Sequence, residues 1–527
     1  MKKVLVSDTL APEGVEIFKK APGIDVDVMT NLTHDELKGI IGNYDGLAIR
    51  SGTKVVSDVI DKADNLKVIG RAGIGLDNVD VAAASKRGIV VMNTPGGNTI
   101  TTAEHAISMM LSLARKIPQA TQSMKSGKWE KKRFMGSEVY NKTLGVIGIG
   151  RVGTIVCNRA LGLKMNVIAY DPFISPEAAE KMGIILTTFD EILEKSDFIS
   201  VHTPLTNETR ELINAASIAK MKDGAVIINC ARGGIVSETD LYDALVSEKL
   251  GGAALDVFVE EPTGNTDLLS LDNVICTPHL GASTDEAQRN VAIAIARQIV
   301  DYLTKGDIKN AVNFPSVSGE ILTLIRPYLN LAEMLGKFQV QIVRGGIKEI
   351  IIEYSGGILE YNVAPITVAL LKGLLAPILK ENVNYINAPV IAKERGINVV
   401  EAKSSETKDY KSMISLTVKT AEEESFAAGA IFGRQDPRIV MINKFVLDVI
   451  PEGNMLVLYN HDRPGVIGNI GMTLGKNNIN IARLHLSRQL VDGQALVVLS
   501  TDSLLPEDVL KELRDLPNVI SVTQLEM

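Results

Sequence analysis

Residues 144–171 read LGVIGIGRVGTIVCNRALGLKMNVIAYD, and the fold follows from how that stretch divides. An apolar, β-branched run ends in GIGRVG, a helix-period segment follows, and a second apolar run closes on Asp171. In such a strand–turn–helix–strand unit each glycine has its own task. Gly148 permits the tight turn, Gly150 lets backbone approach a pyrophosphate, and Gly153 lets helix and strand pack closely. The helix N-terminus then faces the phosphate charge. Asp171 can accept hydrogen bonds from a ribose diol and would repel a 2′-phosphate, which favours NAD over NADP; the plainer alternative is a strand-end turn acid. GRAGIG at 70–75 imitates the motif. No acid ends a matching strand after it, so it reads as a loop facing a substrate cleft.

Outward from this unit the rhythm repeats. Between Met1 and Asn313 the runs VLVSD, LAIRS, LKVIGRA, IVVMN, LGVIGIG, VIAYD, FISVH, AVIINCA, AALDVF and VICTPH alternate with helical stretches, the pattern of parallel sheets. They fall into two groups, giving two doubly wound α/β lobes: a substrate lobe from 1–98 plus 283–313, and a Rossmann-type nucleotide lobe at 99–282. TTAEHAISMMLSLAR, capped at Thr101 or Thr102, is the helix crossing between them, and DEAQRNVAIAIARQIVDYL returns to the first lobe. Residues 314–451 form an α+β intervening domain, with KEIIIEYSG and IVMINKFVLDVI as strands. Residues 454–527 have the βαββαβ order of a ferredoxin-like unit.

Composition narrows the function classes. A chain of 527 residues holds three or four domains at about 100 to 200 residues each. A net charge of -8 leaves no electrostatic footprint for nucleic acid or anionic membrane, and 4% aromatics with one tryptophan argue against stacking on bases. Cys157, Cys230 and Cys276 are scattered through apolar runs, which reads as buried thiols in a reducing cytoplasm and not as a disulfide framework or metal site. MKKVLVSD opens a strand, with no secretory or membrane-spanning segment after it.

Three polar residues stand near the ends of strands in the nucleotide lobe: Arg232 after AVIINCA, Glu261 after LDVFVE, and His279 closing VICTPH. Carboxyl ends of parallel strands line the ligand crevice. Histidine suits removal of a hydroxyl proton, a carboxylate beside it orients the ring and favours imidazolium, and arginine offers a planar fork to a substrate carboxylate. Singly, each has a dull alternative: an ion-pair partner, a capping acid, a surface histidine. Together they point to hydride exchange with a 2-hydroxy acid. His202 reads as a strand-end residue near the cofactor and His105 lies inside the crossing helix, while His34, His461 and His485 fall outside the nucleotide lobe.

GIGRVG, NCARGG, ALDVFVEEP and TPHLGAST, in this order, resemble the D-isomer-specific 2-hydroxyacid dehydrogenases over about the first three-fifths of the chain. The resemblance implies Arg232 as the substrate-binding catalytic arginine, His279 as acid/base and Glu261 as its partner. It carries cofactor contacts onto Arg151, Val152, Asp171, Thr203, Cys230, Ala231, Asp256, Gly281 and Ala282. AIRSGTKV, RAGIGLDNVD and KWEKKRFMGSEVYNKTLG, with the C-terminal extension, are similar to the long branch of that family that oxidises 3-phospho-D-glycerate. That implies Arg50, Ser51 and Asn98 as substrate ligands, with Lys131, Lys132 and Arg133 helping to hold a phosphate from a neighbouring subunit. Some relatives have a second arginine where Gly52 stands here. NHDRPGVIGNIG and NNINIARLHLS resemble an ACT domain, implying a small amino-acid effector, serine by preference, at Asn460, Asp462 and Asn480; pure dimerisation is the alternative. In the intervening domain, Arg434, Arg438 and Lys444 are either anion contacts or a solvated basic face. A homotetramer is the implied assembly. The rivals are a broader 2-oxoacid reductase and an NAD-sensing binding protein with little turnover.

Overall fold

The computed structural model describes residues 1–315, 319–379, 383–406, 410–433, 435–489 and 493–527. Its first sheet comprises β1 (Lys2–Val6), β2 (Ile24–Val28), β3 (Gly46–Ile49), β4 (Val68–Arg71) and β5 (Val90–Met92), all parallel in the order β2-β1-β3-β4-β5. Because β3 to β5 are covered on both faces, they read as unbroken apolar runs. The helix Asp285–Lys305 lays Val291, Ala292, Ile295 and Ile299 onto Val4, Val6, Ala48 and Val68. A segment far along the chain thus completes the first lobe. That helix starts where the Thr284 side chain accepts the Ala287 N–H, and stops at Gly306, whose φ of 77° suits glycine.

The second sheet holds β6 (Thr143–Ile147), β7 (Asn166–Tyr170), β8 (Ile185–Leu186), β9 (Phe198–Val201), β10 (Ala225–Asn229), β11 (Leu250–Leu255) and β12 (Val274–Cys276). Again all strands are parallel, in the order β12-β11-β10-β9-β6-β7-β8. The order reverses at β6, and such a switch point opens a ligand crevice at the strands' carboxyl ends. β2 and β8 are not among the runs expected from sequence, and both are edges. IDVDV alternates acids with apolar residues because only part of it is covered, and β8 has two residues.

Two local expectations need correction. The crossing helix runs Thr99–Ala114 and is preceded by Asn98, not by Thr101 or Thr102, which lie inside its first turn. Cys157 and Cys230 are buried, with burial pushing both thiols up in pKa, but Cys276 is exposed on the edge strand β12.

The intervening domain is built on β13 (Ile347–Gly356), β14 (Asn398–Ser404), β15 (Ser412–Thr420), β16 (Glu424–Phe432), β17 (Asp436–Ile442) and β18 (Phe445–Val449), in the order β14-β13-β15-β16-β17-β18. Only β14 pairs in parallel. IVMINKFVLDVI is therefore a hairpin and not one strand, turned at Asn443 with φ of 50°. Asparagine tolerates that left-handed backbone better than most residues. Arg434 lies outside the described residues.

The last unit has β19 (Asn454–His461), β20 (Ile481–Arg488), β21 (Gln494–Thr501) and β22 (Val519–Glu526), antiparallel in the order β20-β21-β19-β22, with helices Val466–Lys476 and Glu507–Arg514 on one face. This is the expected ferredoxin-like order. Its other face, through Met455, Val457, Leu496 and Val498, shares a core with the intervening domain. Among the described residues no helix is long and apolar enough to cross a membrane.

Candidate active site

The turn after β6 behaves as its glycines suggest. Gly148 has φ of +92° and sits so close to the His202 carbonyl that a Cβ would lie 2.8 Å from it. A Cβ at Gly153 would overlap the Gly148 carbonyl, whereas one at Gly150 would meet nothing within 4 Å. Helix and turn are thus pressed together, and the open side faces outward from Gly150. Asp171 takes the Ile149 N–H at 2.7 Å on one oxygen and the Phe173 N–H at 2.8 Å on the other. Each oxygen keeps a lone pair for a ribose hydroxyl. Thr203 Oγ1 is buried there without a hydrogen-bond partner, so a polar ligand atom is what it lacks. These groups fit a dinucleotide, which would lie across the turn with its ribose on Asp171.

Adjacent strands β10, β11 and β12 supply Arg232, Glu261 and His279 from the loops just beyond their carboxyl ends. His279 Nδ1 lies 2.7 Å from Glu261 Oε2, and Glu261 Oε1 accepts the Phe258 N–H at 3.1 Å. The glutamate is therefore held from behind while it holds the ring. His279 itself has φ of 55°, unusual for a residue with a side chain. Asp256 maintains that conformation. Its carbonyl takes the His279 N–H at 3.0 Å, and its carboxylate takes Leu280 N–H at 2.7 Å and Gly281 N–H at 2.8 Å. Burial raises the Asp256 pKa, but hydrogen bonds from His105 and Thr277 outweigh this and leave it below the usual carboxylate value. His105, inside the crossing helix as expected, also supports the histidine loop through Asp256 at 3.2 Å.

Arg232 reaches across to the first lobe. Its Nε lies 3.2 Å from Asp77 Oδ2, and Gly75 is so close that any Cβ there would overlap the guanidinium. The RAGIG loop does face the cleft. It also brings an arginine that the sequence reading left unassigned. Arg71 ends β4, its Nε is buried without a partner, and burial, then the nearby Arg232, lowers its pKa to about 10. Arg50 also weighs on Arg71, while Asp77 and Asp8 act in the opposite sense. The unpartnered Arg71 Nε beside Arg232 suits an anionic ligand. The signal was present: Arg71 closes a parallel strand just as Arg232 follows one.

Other assigned positions are distributed as follows. Ser51 is exposed beyond β3, and Asn98 Oδ1 is buried without a partner at the start of the crossing helix. Arg151 is exposed, Val152 and Ala231 are half-buried, Cys230 and Gly281 are buried, and Ala282 is half-buried. Lys131, Lys132 and Arg133 are all exposed, and Arg133 pairs with Asp272 of its own chain at 3.2 Å. Arg438 is tied to Asp448 at 3.0 Å.

The effector residues do not meet. Asn460 pairs with Ala495 and Asp462 follows closely, whereas Asn480 donates to Asp502 at 2.9 Å beside the Thr501 end of β21. Asn460 and Asn480 therefore lie at opposite ends of the sheet. Asn460 Oδ1 is buried and unpartnered, and Asp462 binds Arg488 at 3.0 Å.

A dinucleotide turn facing a histidine–glutamate pair and an arginine defines a D-isomer-specific 2-hydroxyacid dehydrogenase, and residues 107–281 match the NAD-binding domain of that family. A solved member, a D-lactate dehydrogenase from Aquifex aeolicus complexed with NAD and lactic acid, is 29% identical with a TM-score of 0.54, covering 60% of this chain and 100% of that one. Residues 324–443 match the D-3-phosphoglycerate dehydrogenase intervening domain and 454–518 the ACT domain. The D-3-phosphoglycerate dehydrogenase of Synechocystis is 46% identical over 97% of this chain and 92% of the relative. That of Methanocaldococcus jannaschii is 44% identical over 100% of both chains. The chain belongs to the D-3-phosphoglycerate dehydrogenase family.

Proposed function

We propose that this protein oxidises 3-phospho-D-glycerate to 3-phosphooxypyruvate with NAD, the first step toward serine. The observation that carries the reading is the 2.7 Å contact of His279 with Glu261 on the loops beside Arg232. His279 Nε2 takes the hydroxyl proton from the substrate's second carbon, and Glu261 stabilises the imidazolium that results. Arg232 fixes the carboxylate as a planar fork. Bound NAD supplies the acceptor for the hydride leaving that same carbon. Arg50, Ser51, Arg71 and Asn98 hold the phosphate end, with Lys131 and Lys132 of a neighbouring copy added on assembly. Gly148, Gly150, Arg151, Val152, Gly153, Asp171, Thr203, Cys230, Ala231, Asp256, Gly281 and Ala282 surround the cofactor.

The test is NADH formation, followed by absorbance, with phosphoglycerate, glycerate and lactate compared. The phosphorylated substrate should have by far the highest kcat/KM. Equal rates on lactate would favour a broad 2-hydroxyacid dehydrogenase, and no turnover on any of them a binding protein.

For the C-terminal unit we propose a serine site completed by a second copy. β20 is an edge strand, and its Leu484 and Leu486 are 42% and 49% exposed. Two β20 strands paired antiparallel about a two-fold axis would bring one copy's Asn480 beside the other's Asn460 and Asp462. Further pairing through the nucleotide lobes would make a tetramer. The division at 98/99, 282/283, 313/314 and 451/454 is our reading of the units, and three unpaired thiols support a reducing, cytoplasmic setting.

A further inference from the structure

The turn from Arg50 to Thr53 leaves β3 with the exposed Ser51 at its tip, and two side chains from elsewhere in the first lobe close it. Asp8, just past β1, accepts the Arg50 N–H at 2.6 Å and the Thr53 N–H at 3.1 Å on the same oxygen. Asn78, from the loop after β4, donates to the Arg50 carbonyl at 2.7 Å and the Thr53 carbonyl at 2.6 Å. One carboxylate thus takes both amide hydrogens of the turn's end residues, and one carboxamide serves both of their carbonyls. Ser7 Oγ adds a contact to Thr53 Oγ1 at 2.9 Å. The fit is tight: a Cβ at Gly52 would lie 2.7 Å from Asp8 Oδ1. A larger residue at Gly52 would therefore make the Asp8 carboxylate shift.

We propose that Asp8 and Asn78 are the positioning residues of the substrate turn. They lock the backbone from which Arg50 and Ser51 project, and Asn78 ties that turn to the loop whose Asp77 pairs with Arg232. The inference rests on the assignment of Arg50 and Ser51 to the substrate. Neither Asp8 nor Asn78 touches the substrate; both act through the geometry of the turn. Preorganised backbone matters because a displacement of about 1 Å in a binding group costs up to about a hundredfold in rate.

The experiment is steady-state kinetics of the full chain with phosphoglycerate and NAD each varied, for Asp8→Ala, Asp8→Asn, Asn78→Ala and Arg50→Ala. Asp8→Ala and Asn78→Ala should each raise KM for phosphoglycerate about tenfold and leave KM for NAD unchanged, since the nucleotide turn belongs to another sheet. Asp8→Asn should restore most of the affinity, because an amide oxygen can still accept both N–H groups. In the Arg50→Ala background Asp8→Ala should add little, the non-additivity expected when one residue acts through another. If Arg50→Ala raises KM but Asp8→Ala and Asn78→Ala do not, the positioning role is wrong and the substrate turn stands. If Arg50→Ala leaves KM unchanged, the reading of the turn itself falls. Parallel losses for both substrates, with no rescue by Asp8→Asn, would mark a general folding defect and overturn the proposal.

Discussion

The catalytic cleft and the C-terminal effector unit are assembled in opposite ways. In the cleft, neighbouring parallel strands β10, β11 and β12 each end at one rim, and the loops beyond them deliver Arg232, Glu261 and His279 to it. In the C-terminal unit, antiparallel strands send Asn460 to one end of the sheet and Asn480 to the other. Parallel strands here gather side chains at one rim, and antiparallel strands set them at opposite ends, where a second copy would be needed to reunite them. The three catalytic side chains come from a single chain, whereas the effector site we propose draws on two.

The largest effect should come from the catalytic cleft. Replacing His279 by Ala should lower kcat by about 10²–10⁴-fold, the usual contribution of a positioned proton acceptor, while NAD binding measured by fluorescence stays intact. Retained turnover would show that the 2.7 Å pair with Glu261 is structural.

A second contrast lies in acid stability. His202, half-buried beside the nucleotide turn and 2.8 Å from Ser200 Oγ, has its pKa lowered by burial from 6.5 to about 4. It is neutral in the folded chain, and the unfolded chain binds a proton below about pH 6.5. Its stabilising contribution is therefore whole above that pH and drains away as pH falls toward 4. The loss is at most about 3 kcal/mol, less for a ring that keeps some contact with solvent. In the C-terminal unit His461 is exposed and His485 half-buried. Hydrogen exchange at about pH 5 should show the nucleotide lobe losing protection before the C-terminal unit, and His202→Gln should remove the difference. Equal loss in both regions would sink this account.

The same difference in construction decided how much could be read from sequence. Apolar runs buried on two faces announced the central strands of the first two sheets but not β15 and β16 of the third, and the glycine turn with Asp171 announced the crevice. β2 and β8 escaped because an edge strand is half solvated and short, so its pattern is diluted. The burial of Arg71 was not legible because an arginine closing a strand gives no sign in sequence of whether its head is buried or solvated. IVMINKFVLDVI concealed a hairpin since Asn443-Lys444 is a turn without glycine or proline. His105 gave no sign of its tie to Asp256, because nothing in a helix's periodicity says which strand end it will meet. The separation of Asn460 from Asn480 follows from strand direction, which spacing along the chain does not reveal.

The smallest expected effect tests the two-copy site proposed for the C-terminal unit. β20 presents Leu484 and Leu486 along an unpaired edge, and a lysine on such an edge opposes strand addition by charge and by the water it holds. Leu484→Lys lies on a different sheet from the nucleotide crevice, so turnover without serine should be preserved. Sedimentation should show a smaller assembly. The serine concentration that halves the rate should rise by about tenfold, within the range of ordinary coupling energies. Asn480→Ala should weaken the serine effect similarly but leave assembly intact, because it removes a ligand and not the edge. If Leu484→Lys disrupts assembly and serine still acts at its former concentration, the effector groups must sit within one chain, and the contrast between the two regions collapses.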